Sequence, residues 1–240
     1  MSEVKKIALW SGPRNISTAL MYSFANRSDT AVVDEPLFGY FLKHTGVWRP
    51  SRKEVLATME TNAINIMDTL LNPPTDMPVY FMKHMANHLI DLNLDFLANF
   101  ENVLLIRDPK DMLLSYSKNV KEPTLLDTAY KMQVDLLDFF TERGMPYVIL
   151  NAKNVLLNPE RQLKILCEKL NISFQDSMLE WEAGSRQEDG IWAKYWYDSV
   201  HKSTGFGAYR EKDQELPLNL ISLYDECMYY YAKLEQLALT

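Results

Sequence analysis

The chain is predicted to be an α/β protein, with three αβα layers around a central, mainly parallel sheet of about five strands. Two observations carry that prediction. Five short apolar runs, at residues 7–10, 31–33, 79–82, 103–106 and 147–150, are each long enough for a strand buried on both faces. They alternate with segments whose apolar residues recur at helical spacing, and strand–helix–strand succession points to parallel pairs joined by right-handed crossovers.

The first run, Ile7-Ala8-Leu9-Trp10, is broken by Gly12-Pro13, after which Ala19, Leu20, Met21 and Phe24 mark a helix beginning near Ser17 or Thr18. Ala31-Val32-Val33 follows as a second strand and ends in Asp34-Glu35-Pro36. Ser51 and Glu54 read as a capping box opening one long helix toward Leu71, which Asn72-Pro73-Pro74 ends. The third strand, Val79 to Met82, is expected to end at Lys83 and His84, with His88 one helical turn further on. The fourth leads directly into Arg107-Asp108-Pro109, where Asp108 caps a helix reaching about Asn119. Leu125 to Arg143 reads as one amphipathic helix closed by Gly144, and Tyr147 to Leu150 as the fifth strand. Asn158-Pro159 opens another helix, and a last one spans roughly Leu218 to Leu237. Repeats and linkers are lacking, so residues 1–240 are expected to form one domain, with 175–240 as its helical C-terminal part.

A net charge of −7 argues against nucleic acid and anionic membrane as partners, since both repel an acidic surface. The sequence offers no apolar stretch of membrane-span length and no signal-peptide core, and it has only two cysteines, Cys167 and Cys227. A cytoplasmic location is expected from these features.

Two segments carry chemistry. The residues Ser11-Gly12-Pro13-Arg14-Asn15-Ile16-Ser17-Thr18 join a strand to a helix start, where free N–H groups, hydroxyls and a guanidinium suit a phosphate or sulfate. A plain N-capped helix with an exposed Arg14 satisfies the same pattern. The loop lacks the Gly-Lys-[Ser/Thr] ending of a Walker A motif. The second segment, LLIRDPKDMLLSYSK, places Arg107 at a strand end and Ser115 on the next helix, so both can face one edge of the sheet.

The first segment resembles the 5′-phosphosulfate loop of sulfotransferases, with Pro13, Arg14, Ser17 and Thr18 on the matching positions and Ile16 where many members carry Gly. LLIRDPKDMLLSYSK resembles the family's 3′-phosphate site, and VILNAKNVLLNPERQLKILCEKLNISF is similar to its following strand, turn and helix, with Asn151-Ala152-Lys153 replacing Tyr-Glu-Asp. HKSTGF, with Lys202, Ser203, Thr204 and Gly205, loosely resembles the loop that closes over the nucleotide. The resemblance implies a P-loop-like scaffold and transfer of a sulfuryl group from 3′-phosphoadenosine 5′-phosphosulfate (PAPS) to a hydroxyl or amine of a small acceptor. The product is adenosine 3′,5′-bisphosphate (PAP), and no metal is expected. It implies Ser11, Gly12, Pro13, Arg14, Asn15, Ser17, Thr18, Arg107, Ser115 and residues 202–205 as donor contacts, and Arg14 as the charge-stabilising group, assisted by Lys83. His84 and Glu35 are the two candidate bases. An atypical nucleotide or small-molecule kinase, and a nucleotide-binding protein that has lost transfer, are the alternative readings.

Overall fold

The computed structural model describes residues 4–240. Five parallel strands form one sheet in the order β2-β3-β1-β4-β5: β1 Lys5–Ser11, β2 Thr30–Asp34, β3 Val79–Met85, β4 Glu101–Ile106 and β5 Tyr147–Asn151. Every strand is a short run with both faces covered. Along β1, Ala8 and Trp10 enter one apolar core while Ile7 and Leu9 enter the other, as the two-residue period of a strand requires. The protein is therefore an α/β fold with helices on both faces of one sheet.

The chain leaves β1 for β2, returns to lay β3 against β1, and only then places β4 on the other side of β1. That reversal opens a crevice at the carboxyl ends of β1, β3 and β4, the usual ligand position in such sheets. The helices that connect these strands are α1 Ser17–Ala25, α2 Phe38–Thr45, α3 Arg52–Thr58, α4 Ala63–Leu71, α5 Pro109–Tyr116, α6 Leu125–Thr128 and α7 Tyr130–Glu142. After β5 come α8 Ala152–Leu157, α9 Pro159–Lys169, the short α10 Ala193–Trp196 and α11 Asp198–His201, and α12 Ile221–Glu235.

Four expectations are corrected. First, β3 runs three residues beyond its apolar stretch, so Lys83 and His84 lie inside the strand rather than at its end. Second, the helix expected from Ser51 to Leu71 is two helices. Ser51 sits at φ 69° and makes no capping bond, whereas Asn62 caps α4 by accepting from the Ile64 N–H at 2.9 Å. Between them, Glu60 accepts from the N–H groups of Thr61 and Asn62, which holds the turn open. Third, the helix expected from Leu125 to Arg143 breaks at Ala129, φ 67°. Thr124 and Asp127 close a capping box around the short α6, and the elbow sets the Thr128 carbonyl against Gly12, where a Cβ would stand only 2.8 Å from it. Fourth, α5 stops at Tyr116, short of Asn119. Gly144 does close α7 in the left-handed region, φ 62°. Asp108 caps α5, and Asn158 caps α9.

Candidate active site

The crevice is a cleft of about 690 Å³, and two groups of side chains line it. One is built on the loop between β1 and α1. Arg14 (φ 57°) and Ile16 (φ 59°) both occupy the left-handed region, where a β-branched side chain is strained by roughly 1–2 kcal/mol. The strained position 16 is the one at which sulfotransferases often carry Gly, the residue that adopts it freely. Asn15 holds the loop down by donating from Nδ2 to the Leu105 carbonyl at 3.0 Å, and Gln133 ties the tips of β1 and β4 by donating to the Trp10 and Leu105 carbonyls. No side chain caps α1, so the first-turn N–H groups beside Ser17 and Thr18 are left for a ligand.

Arg14 and Arg107 meet on the same side of the sheet. Arg107 Nη1 donates to the Arg14 carbonyl at 2.6 Å, and Arg14 donates from Nε to Ser115 Oγ at 3.0 Å and from Nη1 to the Trp196 carbonyl at 2.9 Å. Burial, and then the charge on Arg107, draw the Arg14 pKa below its ordinary value. Lys212, which donates to the Asp111 carbonyl, is lowered by the same two causes in the same order. Lys118 also lines the cleft. Among the described residues, Asp111 is the one carboxylate within ion-pair range of any of these four cations, 3.7 Å from Arg107 and 3.9 Å from Lys212. An acidic chain has thus gathered excess positive charge at one spot, where a polyanion would relieve it.

The second group centres on Lys83, 1% exposed. Its three N–H groups are all committed: to Asp34 Oδ1 at 2.9 Å, Glu35 Oε1 at 2.6 Å and Tyr197 Oη at 2.6 Å. Tyr197 Oη in turn donates to Asp34 Oδ2 at 2.7 Å and accepts from Trp192 Nε1 at 3.1 Å, and the Gly190 N–H completes the shell of Asp34. Burial works against a charged Lys83, but Asp34 and Glu35 outweigh it and hold the ammonium well above its usual pKa. Glu35 has fewer partners. Burial raises its pKa, the Lys83 charge opposes that, and the neighbouring Asp34 adds to the rise. Glu35 lines the cleft, at a backbone φ of 43°.

The remaining residues named from the sequence fall into two sets. Pro13, Asn15, Ser17, Thr18, Ser115, Ser203 and Gly205 line the cleft beside the arginines. Ser11, Gly12, Lys202, Thr204 and His84 do not. Ser11 is fully buried and donates to the Gly12 carbonyl, and Gly12 is pressed against Thr128. Lys202 pairs with Asp198 at the exposed end of α11, and Thr204 turns its carbonyl to the Trp181 N–H. His84 points to the other face of β3, with no exposure, stacked at 4.3 Å on Trp10; burial, then Lys83, push its pKa down to about 3. It cannot reach an acceptor in the cleft. Lys83, with no N–H left over, cannot contact a donor in this arrangement.

Sequence reasoning missed Lys212, Lys118 and the Arg49–Asp127 ion pair. It also missed His88 as a cleft residue, held between Phe38 and Phe41 and kept neutral by burial. An available signal was the spread of basic residues beyond HKSTGF, at Arg210 and Lys212.

Comparison with known proteins decides the family. The family model described as Sulfotransferase domain matches residues 5–235. The chain belongs to the sulfotransferase domain family. Solved sulfotransferase structures agree in fold. The sulfotransferase domain from the curacin biosynthetic pathway has a TM-score of 0.62 at 16% identity, over 96% of this chain and 99% of that one. The sulfotransferase from Alicyclobacillus acidocaldarius has a TM-score of 0.56 at 11% identity, over 98% and 96%. Two curated relatives from Arabidopsis thaliana are named branched-chain-amino-acid aminotransferase-like proteins 1 and 2. Each is 38% identical, over 232 and 226 residues, which is 96% and 94% of this chain. This sulfotransferase-family chain spans about two fifths of their length (42% and 40%), and their names describe no sulfate chemistry. Among the described residues no helix is long and apolar enough to cross a membrane.

Proposed function

We propose that this member of the sulfotransferase family transfers a sulfuryl group from PAPS to a hydroxyl of a small acceptor, releasing PAP. The observation that supports the donor best is the pairing of Arg14 with Arg107 at one cleft, each lacking a full counter-charge. One doubly phosphorylated nucleotide supplies the two anionic groups such a pair needs. Ser17, Thr18 and the first-turn N–H groups of α1 would take the 5′ end, with Arg14, while Arg107 and Ser115 would take the 3′-phosphate.

Glu35 is the base in this reading. It removes the acceptor's proton as the acceptor oxygen attacks sulfur; the bond from sulfur to the 5′-phosphate oxygen breaks, and the charge left on that phosphate falls to Arg14 and α1. A raised pKa suits the role, because a stronger base accepts the proton more readily. Lys83 fixes one Glu35 oxygen, and Asp34 with Tyr197 fix Lys83. His88 also faces the cleft on this side, but its depressed pKa makes it a weak proton acceptor. A cytoplasmic location belongs with this proposal.

A melting experiment tests it. PAP at a hundredfold its dissociation constant should add about 2.7 kcal/mol, a rise of roughly 5–10 °C for a chain of this length. A rise with ATP and Mg²⁺ but none with PAP would replace the proposal by the kinase reading.

A further inference from the structure

Glu35 is held in place from outside the cleft. We infer that Asp189 is its positioning residue: it pins the segment 184–192 to α1 and α11, and that segment holds Asp34, Lys83 and through them Glu35. The role of Glu35 as base rests on the sulfuryl-transfer reading, whereas the physical link does not.

Asp189 has a side chain only 5% exposed and is absent from the lining of the cleft. Tyr22, buried on α1, donates from Oη to it, 2.7 and 2.8 Å from the two carboxylate oxygens. His201 Nε2, at the end of α11, lies 2.9 Å from Oδ2, and the Arg186 N–H donates to the same oxygen at 2.9 Å. The neighbours of that carboxylate brace the segment further. The Arg186 guanidinium lies 4.4 Å from the centre of the Tyr22 ring and donates to Asn26 Oδ1, and the Gly184 N–H donates to the His201 carbonyl. Residues 184–192 contain no helix or strand, so they have no ladder of their own to fix where they lie. Bonds to a buried carboxylate are strong enough to do so.

The next residue passes the hold on. The Gly190 N–H donates to Asp34 Oδ2 at 3.0 Å, and it can approach because a Cβ at position 190 would stand 2.1 Å from the Trp192 ring. Two residues later, Trp192 Nε1 donates to Tyr197 Oη, which donates to that same Asp34 oxygen. The segment therefore grips Asp34 twice, once by backbone and once through Tyr197. Asp34 Oδ1 takes one N–H of Lys83, and Lys83 gives another to Glu35 Oε1. β2 and β3 already pair Asp34 with Lys83, so the sheet fixes their backbones and the segment fixes how their side chains meet. Glu35 lies one residue past β2 with φ 43°, and its carboxylate takes its place from Lys83.

Amide hydrogen exchange on the full chain, compared for the unaltered protein, Asp189→Asn and Tyr22→Phe, tests the link. Exchange should quicken about tenfold or more at 184–192 and also at 33–38 and 83–85, with β5 unchanged. Quickening confined to 184–192, or none in either variant, would overturn the inference. A role in folding alone would not separate binding from turnover. With PAPS and water as the acceptor, Asp189→Asn should lower kcat about 10- to 100-fold, move the KM for PAPS by less than about threefold, and keep the melting shift from PAP. A raised KM with kcat unchanged would also overturn it. If the unaltered protein turns over no PAPS but the exchange at 33–38 responds, the base reading falls and the link stands. If PAPS is turned over and that exchange does not respond, the link falls and the base reading stands.

Discussion

The two halves of the cleft bury charge in opposite ways. Around Lys83 every charged group has an opposite partner within hydrogen-bond reach, and the ammonium has no donor to spare. Around Arg14, four cations have one carboxylate within ion-pair range of any of them, and two, Arg14 and Lys212, are drawn below their ordinary pKa by burial and then by the charge on Arg107. Burying a charge without compensation is costly, so a fold that does so at a strained loop is arranged to be completed by something else. The compensated half holds one carboxylate in place, and the uncompensated half carries the positive charge on which the proposed donor binding rests.

The largest effect that can break this contrast belongs to Glu35. Glu35→Gln keeps the shape and the bond to Lys83 but cannot take a proton, so turnover should fall about 10²–10⁴-fold while the melting shift from PAP persists. In the unaltered protein, kcat/KM should fall on the acid side with a midpoint above the ordinary carboxylate range, because the Glu35 pKa is raised. Sulfate transfer measured against pH checks both, and full activity in the variant would remove Glu35 as the base. Arg14→Ala comes next. Losing the charge that receives the leaving phosphate should lower turnover about 10²–10³-fold, and an unchanged rate would make the uncompensated half a bystander.

How much of this was readable beforehand depends on sequence distance. The strands, the loop holding Arg14, and Arg107 with Ser115 were legible because each lies in a continuous strand–turn–helix stretch whose pattern is local. Tyr197 and Trp196 were not, since their contacts to Lys83 and Arg14 join positions 114 and 182 residues apart. Lys212 lies in an irregular segment with no periodicity to place it. β3 was read short because a buried strand normally stops at its first charge; here Lys83 continues it, its charge met by Asp34 and Glu35. Those three extra residues also bear on the proposed base. They set Lys83 and His84 on opposite faces, so the histidine faces Trp10 and the cleft is left to Glu35. The break at Ala129 carries no glycine or proline, and the contact with Gly12 that accompanies it is more than a hundred positions away.

Within the uncompensated half, Arg107 sharpens the comparison. Arg107→Ala should weaken PAP by about 1.5–3 kcal/mol, roughly 10- to 150-fold, and leave adenosine 5′-phosphosulfate, which has no 3′-phosphate, nearly unaffected. Titration calorimetry with the two ligands distinguishes a residue that reads the 3′ end from one that only supports the Arg14 carbonyl, because loss of that support would weaken both ligands alike.

The smallest effect lies outside both halves and serves as their control. His84 is a third way of burying a polar group: neither ring nitrogen has a partner, and the imidazole stays neutral with its pKa at about 3. Between that value and the unfolded 6.5, the unfolded chain binds a proton that the folded chain refuses, so stability is lost as pH falls through this window. At pH 5 the loss from this one group is about 2 kcal/mol, or roughly 4–8 °C. His84→Phe keeps the stack on Trp10 and removes the titration. Its melting temperature should exceed that of the unaltered protein by a margin that widens from pH 7.5 to pH 5, while PAP still shifts the melt at pH 7.5. His88 titrates in the same direction and remains in the variant, so the acid sensitivity should be reduced and not abolished. Parallel melting curves for the two proteins across that range would mean that His84 is charged or solvated in the folded state, and the placement of β3 residues that turns His84 away from the cleft would lose its support.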